Sequence, residues 1–315
     1  MQKLIFGIDL GGTSVKIGLF GENEGLLEDW EIKTRKENNG AFILGDISDF
    51  VLGKIKEKNI SKDDVMGIGI GVPGPISSDG TIFSGVNLGW GTFNVEKELE
   101  SLSGFSVKAG NDANVAALGE MWEGGGKNYK NLVLITLGTG VGGGVIMDGK
   151  IVSGTNGSAG EIGHMPVTDD ETELCGCGKY GCLEQVASAT GIVKVAKRLL
   201  ANSHVPSKLR DIKNLNSKDV FAIASEGDSI AIEVTEILGK YLGTALANIS
   251  SVIDPEIFVL GGGVSKAGQV LIDLVQKYYK VKVFSSCKDT KIVLAELGNQ
   301  AGIYGAAKTL IDSQK

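Results

Sequence analysis

One histidine and three cysteines stand close together in the middle of the chain, and the cysteines have the spacing C-x-C-x4-C. They are His164, Cys175, Cys177 and Cys182. Imidazole nitrogen and thiolate sulfur are ligands that a structural Zn2+ prefers, and four of them close a tetrahedron with no position left for water. The glycines between the cysteines allow a backbone tight enough for the thiolates to converge on one ion. The pattern predicts a structural zinc site, with ordinary buried thiols or a disulfide as the alternatives.

Two glutamates flank this cluster, Glu161 before the histidine and Glu184 after the last cysteine. A metal ion bound by the cluster would hold both carboxylates and the imidazole ring in one place. The segment is therefore a candidate for part of a functional site.

Glycine turns at the ends of apolar strands indicate a second kind of chemistry. In the first turn, Asp9 is followed by Leu10, Gly11, Gly12 and Thr13. Successive backbone N–H groups in such a turn form a concavity for anionic oxygens. The Asp9 carboxylate is placed to hold the Mg2+ that phosphoanhydrides need, directly or through water. Two further turns contain Gly138, Thr139 and Gly140, and Gly261, Gly262 and Gly263.

These turns do not match the common phosphate-binding loops. The pattern G-x-x-x-x-G-K-[ST] does not occur, which excludes a Walker-type loop. No G-x-G-x-x-G has both a preceding strand and an acidic residue at the required distance, so a dinucleotide-binding fold is unsupported. What the chain has instead is three glycine turns, all at strand ends, which together favour phosphate binding.

The dipeptide Asn111-Asp112 begins a segment with helical spacing. A polar side chain at a helix start is often only a cap for the first N–H groups. The functional interpretation is a general base that accepts a hydroxyl proton while a phosphoryl group is transferred in line.

The bulk composition restricts the class of protein. The chain has 315 residues, 42% hydrophobic and 22% charged, which is typical of a globular protein with room for two domains. Its net charge of −7 argues against nucleic-acid binding, which needs a basic surface. Neither a signal peptide nor an apolar run of membrane-spanning length is evident. We therefore expect a cytoplasmic protein without a membrane partner, and clustered cysteines suit that reducing compartment.

The elements that must position these residues follow a repeated pattern. Residues 4–20 and 132–147 both read as strand, glycine turn and strand, which predicts a duplicated domain rather than two unrelated hairpins. Strands then alternate with helices, which predicts a mostly parallel α/β sheet in each half. The predicted domains are a small N-terminal α/β domain at 1–114, joined by a C-terminal helix at 300–315, and a larger α/β domain at 115–299 that carries the zinc cluster.

Together these motifs resemble the ROK family of sugar kinases and regulators, within the actin/hexokinase-like ATPase superfamily. The resemblance covers essentially the whole chain and is greatest to bacterial ATP-dependent glucokinases. It implies a two-domain actin/hexokinase-like (ribonuclease H-like) ATPase fold with a cleft between the domains. It also implies a hexose and ATP as substrates, Mg2+, a structural Zn2+, and a homo-oligomer, either dimer or tetramer. The motifs that carry it are residues 9–13 (DLGGT), 137–140 (LGTG), 260–264 (LGGGV) and 175–191 (CGCGKYGCLEQVASATG).

The resemblance also implies roles for individual residues. Asp112 would be the catalytic base and Asn111 a partner of a sugar hydroxyl, while His164 would contact both zinc and sugar. The other sugar ligands implied are Gly74, Asn87, Glu161 and Glu184. The ATP ligands implied are Asp9, Gly11, Gly12, Thr13, Thr139, Gly140, Gly261, Gly262 and Gly263.

The activity implied is phosphorylation of D-glucose to glucose 6-phosphate at the expense of ATP. One alternative is a kinase for another hexose, such as N-acetylmannosamine, mannose, allose or fructose. A second is a ROK-type sugar-responsive transcription regulator, although the first phosphate strand starts so near Met1 that no helix-turn-helix is expected before it. A third is a sugar-binding module without catalysis, against which the presence of both Asp9 and Asp112 argues.

Overall fold

A computed structural model of the protein describes residues 3–83, 85 and 88–314. Strands and helices alternate along much of the chain, as the sequence predicts. The strands are β1 (Leu4–Leu10), β2 (Ser14–Gly21), β3 (Gly25–Lys33), β4 (Val65–Val72), β5 (Thr81–Ile82), β6 (Phe93–Asn94), β7 (Val107–Asn111), β8 (Leu132–Leu137), β9 (Val141–Met147), β10 (Lys150–Ile151), β11 (Ile257–Gly261) and β12 (Lys291–Leu294). The helices are α1 (Glu37–Gly40), α2 (Ile43–Glu57), α3 (Val95–Ser103), α4 (Asp112–Glu123), α5 (Glu184–Ala187), α6 (Ala189–Asn202), α7 (Ser217–Ser225), α8 (Ser229–Ile253), α9 (Gln269–Lys282) and α10 (Ala301–Ser313).

The first sheet has the strand order β3-β2-β1-β4-β7. β1 pairs antiparallel with β2 and β2 with β3, whereas β1 with β4 and β4 with β7 are parallel. The pairing places Asp9 opposite Gly71, and Val72 opposite Asn111. The carboxyl ends of β1, β4 and β7 therefore meet at one edge of the sheet.

The second sheet has the order β10-β9-β8-β11-β12 and thus repeats the arrangement of the first, a hairpin followed by parallel strands. β10 pairs antiparallel with β9, and β11 pairs parallel with both β8 and β12. The expectation of mostly parallel sheets is wrong, because both sheets are mixed. A short glycine turn can join only antiparallel neighbours, since parallel neighbours need a long crossover.

The described residues form two compact units. The domain boundaries inferred from the sequence, 1–114 with 300–315 and 115–299, stay a prediction. Unit 1 comprises residues 1–130, 144–160 and 297–315, and unit 2 comprises residues 131–143 and 161–296.

The core of unit 1 lies on both faces of the first sheet. On one face, Ile5 and Phe20 pack with Ile303 and Leu310 of α10. α10 approaches the sheet closely because β4 carries Gly69, where even a methyl group would overlap the backbone carbonyl of Ala306. The opposite face packs against α2. The last helix of the chain is thus an integral part of unit 1.

The long helix α8 is the main apolar element of unit 2. Its N-cap is Asp228, whose side chain accepts hydrogen bonds from Ala231 N at 3.0 Å, Ser207 Oγ at 2.9 Å and Lys208 N at 2.8 Å. A carboxylate at this position satisfies N–H groups that the helix itself leaves unpaired. Within the described part of the chain, neither α8 nor another helix is long and apolar enough to cross a membrane.

Candidate functional site

The four residues of the predicted zinc site converge in unit 2. One side-chain ligand atom from each of His164, Cys175, Cys177 and Cys182 lies within 4.8 Å of the other three. Cys175 Sγ is 3.6 Å from His164 Nδ1, and Cys177 Sγ is 3.6 Å from Cys182 Sγ. All these cysteines are free thiols, so the disulfide alternative does not hold in this structure.

The spacing of these atoms fits a tetrahedral zinc ion. A Zn–S bond of about 2.3 Å places two sulfurs of a tetrahedron roughly 3.8 Å apart, close to the 3.6 Å between Cys177 Sγ and Cys182 Sγ. Burial raises the pKa of the Cys175 thiol and raises the pKa of Cys182 to about 12, while the backbone N–H of Lys179 lowers the pKa of Cys177. Three thiolates this close together repel one another, and a shared cation would stabilise their ionised forms.

The two ring nitrogens of His164 face different groups. Nδ1 faces Cys175, whereas Nε2 lies 4.0 Å from Glu161 Oε2. The side chain of Glu161 is 55% exposed and that of His164 is 35% exposed, so this end of the ring is open to a ligand. Metal bonding at Nδ1 would leave the proton on Nε2, as a donor beside a carboxylate acceptor.

Glu184 connects the cluster to the second glycine turn. Its Oε2 accepts a hydrogen bond from Val141 N at 2.9 Å, and its Oε1 lies 3.8 Å from Cys175 Sγ. The turn can lie this close because residue 140 is glycine, where a methyl group would overlap the Glu184 carboxylate. The turn and the cysteine cluster therefore share one side chain.

The second and third glycine turns lie side by side in unit 2. β8 and β11 are parallel neighbours, so the turns that follow Leu137 and Gly261 leave the same edge of the sheet. Gly262 has φ of 83°. It lies so close to Leu137 that a methyl group at Gly262 would come within 2.6 Å of the backbone carbonyl of Leu137. Ligands of α/β sheets bind outside the carboxyl ends of the strands. Thr139, Gly140 and the glycines at 261–263 are therefore grouped at one edge.

The first glycine turn closes the hairpin between β1 and β2 in unit 1. Gly11 N donates to Ser14 O at 3.0 Å, which closes the turn. Thr34, directly after β3, donates its hydroxyl to Gly11 O at 2.7 Å and its N–H to Thr13 O at 3.0 Å. Two carbonyl oxygens of the turn are thus held by a single residue.

Asp9 lies one residue before the end of β1, at the base of this turn. Burial raises the pKa of its carboxyl group, and the charge of Lys16 opposite it in the hairpin acts in the other direction. The carboxylate lies against Gly302, where a Cβ would come within 2.5 Å of Asp9 Cγ. A half-buried carboxylate of this kind fits a role as ligand of a divalent cation, directly or through water.

Asn111 and Asp112 join β7 to α4 at the same edge of the first sheet. Asn111 is the N-cap, since its Oδ1 accepts from Ala113 N and from Asn114 N at 3.1 Å each. Its amide Nδ2 donates to Gly74 O at 3.2 Å and to Asp112 Oδ1 at 3.0 Å. Asp112 Oδ1 also accepts from Ala113 N at 2.8 Å. The cap is therefore Asn111, and both Ala113 N and Asn111 Nδ2 help to orient the Asp112 carboxylate.

The structure groups the predicted residues within each unit. In unit 1 it brings Asp9, Asn111 and Asp112 to the carboxyl ends of parallel strands, together with Gly74. In unit 2 it brings Glu161, His164 and Glu184 around the cysteines. Asn87, predicted as a sugar ligand, lies outside the described residues.

Several polar residues at the turns are missed by reasoning from sequence motifs. Lys36 Nζ lies 3.4 Å from the position that a Cβ of Gly12 would occupy, which places a cation beside the first turn. Thr34 holds the same turn, and Thr190 donates its hydroxyl to Thr139 O at 2.7 Å in the second. The available signal is positional: Thr34 and Lys36 follow the strand that pairs with β2, and Thr190 lies within the motif at 175–191, in which no role is predicted for that position.

A model of the ROK family matches residues 5–313, and the chain belongs to that family. The resemblance inferred from the motifs and the actin/hexokinase-like α/β fold are thereby confirmed.

Individual relatives support the same assignment. The chain is 42% identical over 304 residues to a glucokinase of Halalkalibacterium halodurans, covering 95% of this chain and 92% of that protein. It is similar to the crystal structure of a ROK hexokinase from Thermus thermophilus, with 28% identity, a TM-score of 0.82 and coverage of 100% and 99%. It is also similar to a ROK family glucokinase from Streptomyces griseus in complex with glucose and AMPPNP, with 31% identity, a TM-score of 0.76 and 98% of both chains covered.

Proposed function

We propose that the protein is an ATP-dependent hexose kinase that converts D-glucose to glucose 6-phosphate. The observation that carries this proposal is the placement of Asp112 at the start of α4, directly after β7, at the same edge of the first sheet as Asp9 of β1, with β4 between the two strands. Similarity to a glucokinase at 42% identity over most of both chains supports glucose as the substrate.

In this proposal Asp112 is the general base. Its carboxylate accepts the proton of the 6-hydroxyl as that oxygen attacks the γ-phosphorus and the bond to ADP breaks. Ala113 N and Asn111 Nδ2 both donate to Oδ1, which fixes the direction of the carboxylate. The rate gain comes from orientation as well as from proton transfer.

The glycine turns and Asp9 serve the nucleotide. Backbone N–H groups of the turns stabilise the negative charge of the phosphates, and Lys36 adds a cation beside the first turn. Asp9 is the proposed Mg2+ ligand, directly or through water. When bound, Mg2+ neutralises charge on the phosphate oxygens.

By family resemblance, the residues proposed to supply donors and acceptors for sugar hydroxyls are Gly74, Asn111, Glu161, His164 and Glu184. A site that pairs each hydroxyl rejects an epimer strongly, because the wrong sugar leaves buried polar groups unpaired. Asn87 remains a predicted member of this set.

A structural Zn2+ held by His164, Cys175, Cys177 and Cys182 is the proposed metal. Its role is to fix the loop that carries Glu161 and His164 and that leads into Glu184. By the same family resemblance we propose a homo-oligomer, either a dimer or a tetramer, which size-exclusion chromatography with light scattering would test.

The test of the proposed function is ADP formation by the purified protein with ATP, Mg2+ and a panel of sugars. The panel contains glucose, mannose, allose, fructose and N-acetylmannosamine, with Asp112→Asn as the background control. We expect the highest kcat/KM with glucose. A higher kcat/KM with N-acetylmannosamine or another hexose would show that glucose is not the preferred substrate. ADP formation no higher than the control with every sugar would contradict the proposed kinase activity.

A further inference from the structure

Each of the first two glycine turns is held by a threonine that lies elsewhere in the sequence. Thr34 Oγ1 donates to Gly11 O at 2.7 Å in unit 1, and Thr190 Oγ1 donates to Thr139 O at 2.7 Å in unit 2. Each unit therefore has a glycine turn in which a threonine hydroxyl holds a carbonyl, that of the first residue after β1 in unit 1 and that of the second residue after β8 in unit 2.

A backbone N–H assists each threonine by holding a second carbonyl of the turn. Thr34 N donates to Thr13 O at 3.0 Å, and Ala189 N donates to Gly138 O at 2.8 Å. Each turn thus has two carbonyl oxygens tied to a neighbouring segment, one by a hydroxyl and one by an amide.

Tying a carbonyl fixes the direction of the next N–H group. In a trans peptide the C=O of one residue and the N–H of the next point in opposite directions. The bond from Thr34 to Gly11 O therefore aims the Gly12 N–H away from Thr34, and the bond from Thr190 to Thr139 O does the same for Gly140. If such a carbonyl were released, its peptide could turn an oxygen instead of an N–H toward a phosphate.

The hydroxyl of Thr190 belongs to a small network with the fully buried Ser188. Ser188 Oγ is 2.6 Å from Glu184 O and 3.0 Å from Thr190 Oγ1, and it accepts from Gly191 N as the N-cap of α6. The two hydroxyls have one proton each. When Ser188 donates to Glu184 O, the proton of Thr190 is available for Thr139 O, so the network directs that proton to the turn.

We propose that Thr34 and Thr190 are positioning residues that aim the phosphate-binding N–H groups of the two turns. The inference rests on the proposed function in that ATP phosphates are the ligand of the turns. Each threonine acts through the peptide that it holds and not on the reacting atoms.

The experiment measures binding of the non-hydrolysable analogue AMPPNP, with Mg2+ and without sugar, by isothermal titration calorimetry. Thr34→Val and Thr190→Val keep the size of the side chain but remove the donor. We expect each to raise the Kd for AMPPNP by about three- to tenfold, the factor that one net hydrogen bond contributes. Thr34→Ser and Thr190→Ser keep the hydroxyl and should remain within about twofold of the parent protein.

A matched control is Thr244→Val in α8, which removes a hydroxyl-to-carbonyl bond of the same 2.7 Å length away from the turns. Its Kd for AMPPNP should not change. Unaltered AMPPNP affinity in both valine variants, or equal losses in the serine variants, would overturn the proposal, as would a parallel loss of glucose affinity. Because sugar is absent from the titration, a failure of the glucose kinase assay would leave this measurement interpretable.

Discussion

Glu184 and Val141 are linked by a hydrogen bond of 2.9 Å from the Val141 N–H to Glu184 Oε2. The other oxygen of the same carboxylate faces Cys175 of the metal-type cluster. One side chain thus contacts both the loop assigned to hexose binding and the turn assigned to ATP. We infer that this carboxylate makes the affinity for ATP depend on hexose binding, and the affinity for hexose depend on ATP binding.

Substitution of Glu184 should separate its two contacts. Glu184→Gln retains one oxygen for Val141 but loses the charge, so glucose affinity should fall about 10- to 100-fold, as expected for a charge-assisted hydrogen bond. AMPPNP affinity should then change little. Glu184→Ala removes both contacts and should weaken both ligands, each measured by calorimetry.

Glu161→Gln is the matched control, because Glu161 is assigned to sugar and is not bonded to the turn. It should weaken glucose alone. Unchanged AMPPNP affinity in Glu184→Ala would contradict the proposed link between the two sites.

Replacement of the proposed base should remove catalysis and preserve binding. Asp112→Asn can still accept from Ala113 N but cannot take up the hydroxyl proton, so kcat should fall by about 100- to 10,000-fold. The Kd for glucose should stay within about threefold, the effect of at most one weak neutral hydrogen bond. Asp63→Asn, at an exposed position, serves as the control. Turnover like that of the parent protein would remove Asp112 from the mechanism.

Sequence motifs identify much of this architecture because each has a local physical cause. Glycine turns between apolar runs predict the hairpins at 4–20 and 132–147, and both are confirmed as β1–β2 and β8–β9. The cysteine spacing predicts a cluster that the fold assembles, since closely spaced ligands need only a tight loop to converge.

Contacts between distant segments are what motif reasoning misses. Thr34 meets Gly11, and Thr190 meets Thr139, only because strand pairing and the path of α6 bring them together. Whether Asn111 or Asp112 caps α4 is likewise undecided in the sequence, because either side chain can reach the first N–H groups. The mixed strand directions follow from the hairpins themselves and were open to prediction.

The cluster of His164, Cys175, Cys177 and Cys182 predicts the zinc content of the protein. We expect about one zinc per chain in freshly purified protein, because four ligands of the preferred types close a tetrahedron. Cys177→Ser should lose the metal and lower the midpoint of thermal unfolding, since zinc binding contributes to folding stability. Elemental analysis and thermal denaturation measure the two effects.

Cys287→Ser is the control for loss of a thiol, because Cys287 is buried and its Sγ faces Asp254 Oδ1, outside the cluster. It should retain zinc. If the parent protein contained much less than one zinc per chain and were fully active, a structural zinc ion would be excluded.

Asp228 predicts a pH-dependent contribution to stability. Burial alone would raise its pKa, but hydrogen bonds from Ala231 N, Lys208 N and the Ser207 hydroxyl outweigh burial and hold the pKa below its usual range. The unfolded chain therefore binds this proton more readily than the folded one. The contribution is fully present above the ordinary Asp pKa of about 3.9 and is lost as pH falls through the lower folded value.

Asp228→Ala should destabilise the protein by about 1–2 kcal/mol at pH 7, the usual cost of losing an N-cap. The difference from the parent protein should shrink as pH falls below about 4. Asn94→Ala removes an uncharged cap of α3, so its effect should not vary with pH through this residue's own titration. Chemical denaturation across pH 3–7 makes the comparison, and an Asp228→Ala effect that is constant with pH would refute the assignment.

The close packing of α10 on β1 and β4 has a consequence for synthesis on the ribosome. Residues 3–130 leave the exit tunnel well before residues 301–313. The apolar surface around Ile5 and Phe20, which α10 covers in the folded protein, therefore stays exposed while nearly all of unit 2 is translated. Nascent chains with exposed apolar surface are prone to aggregate and are typical clients of chaperones. The unit that is translated first is therefore the last to finish folding.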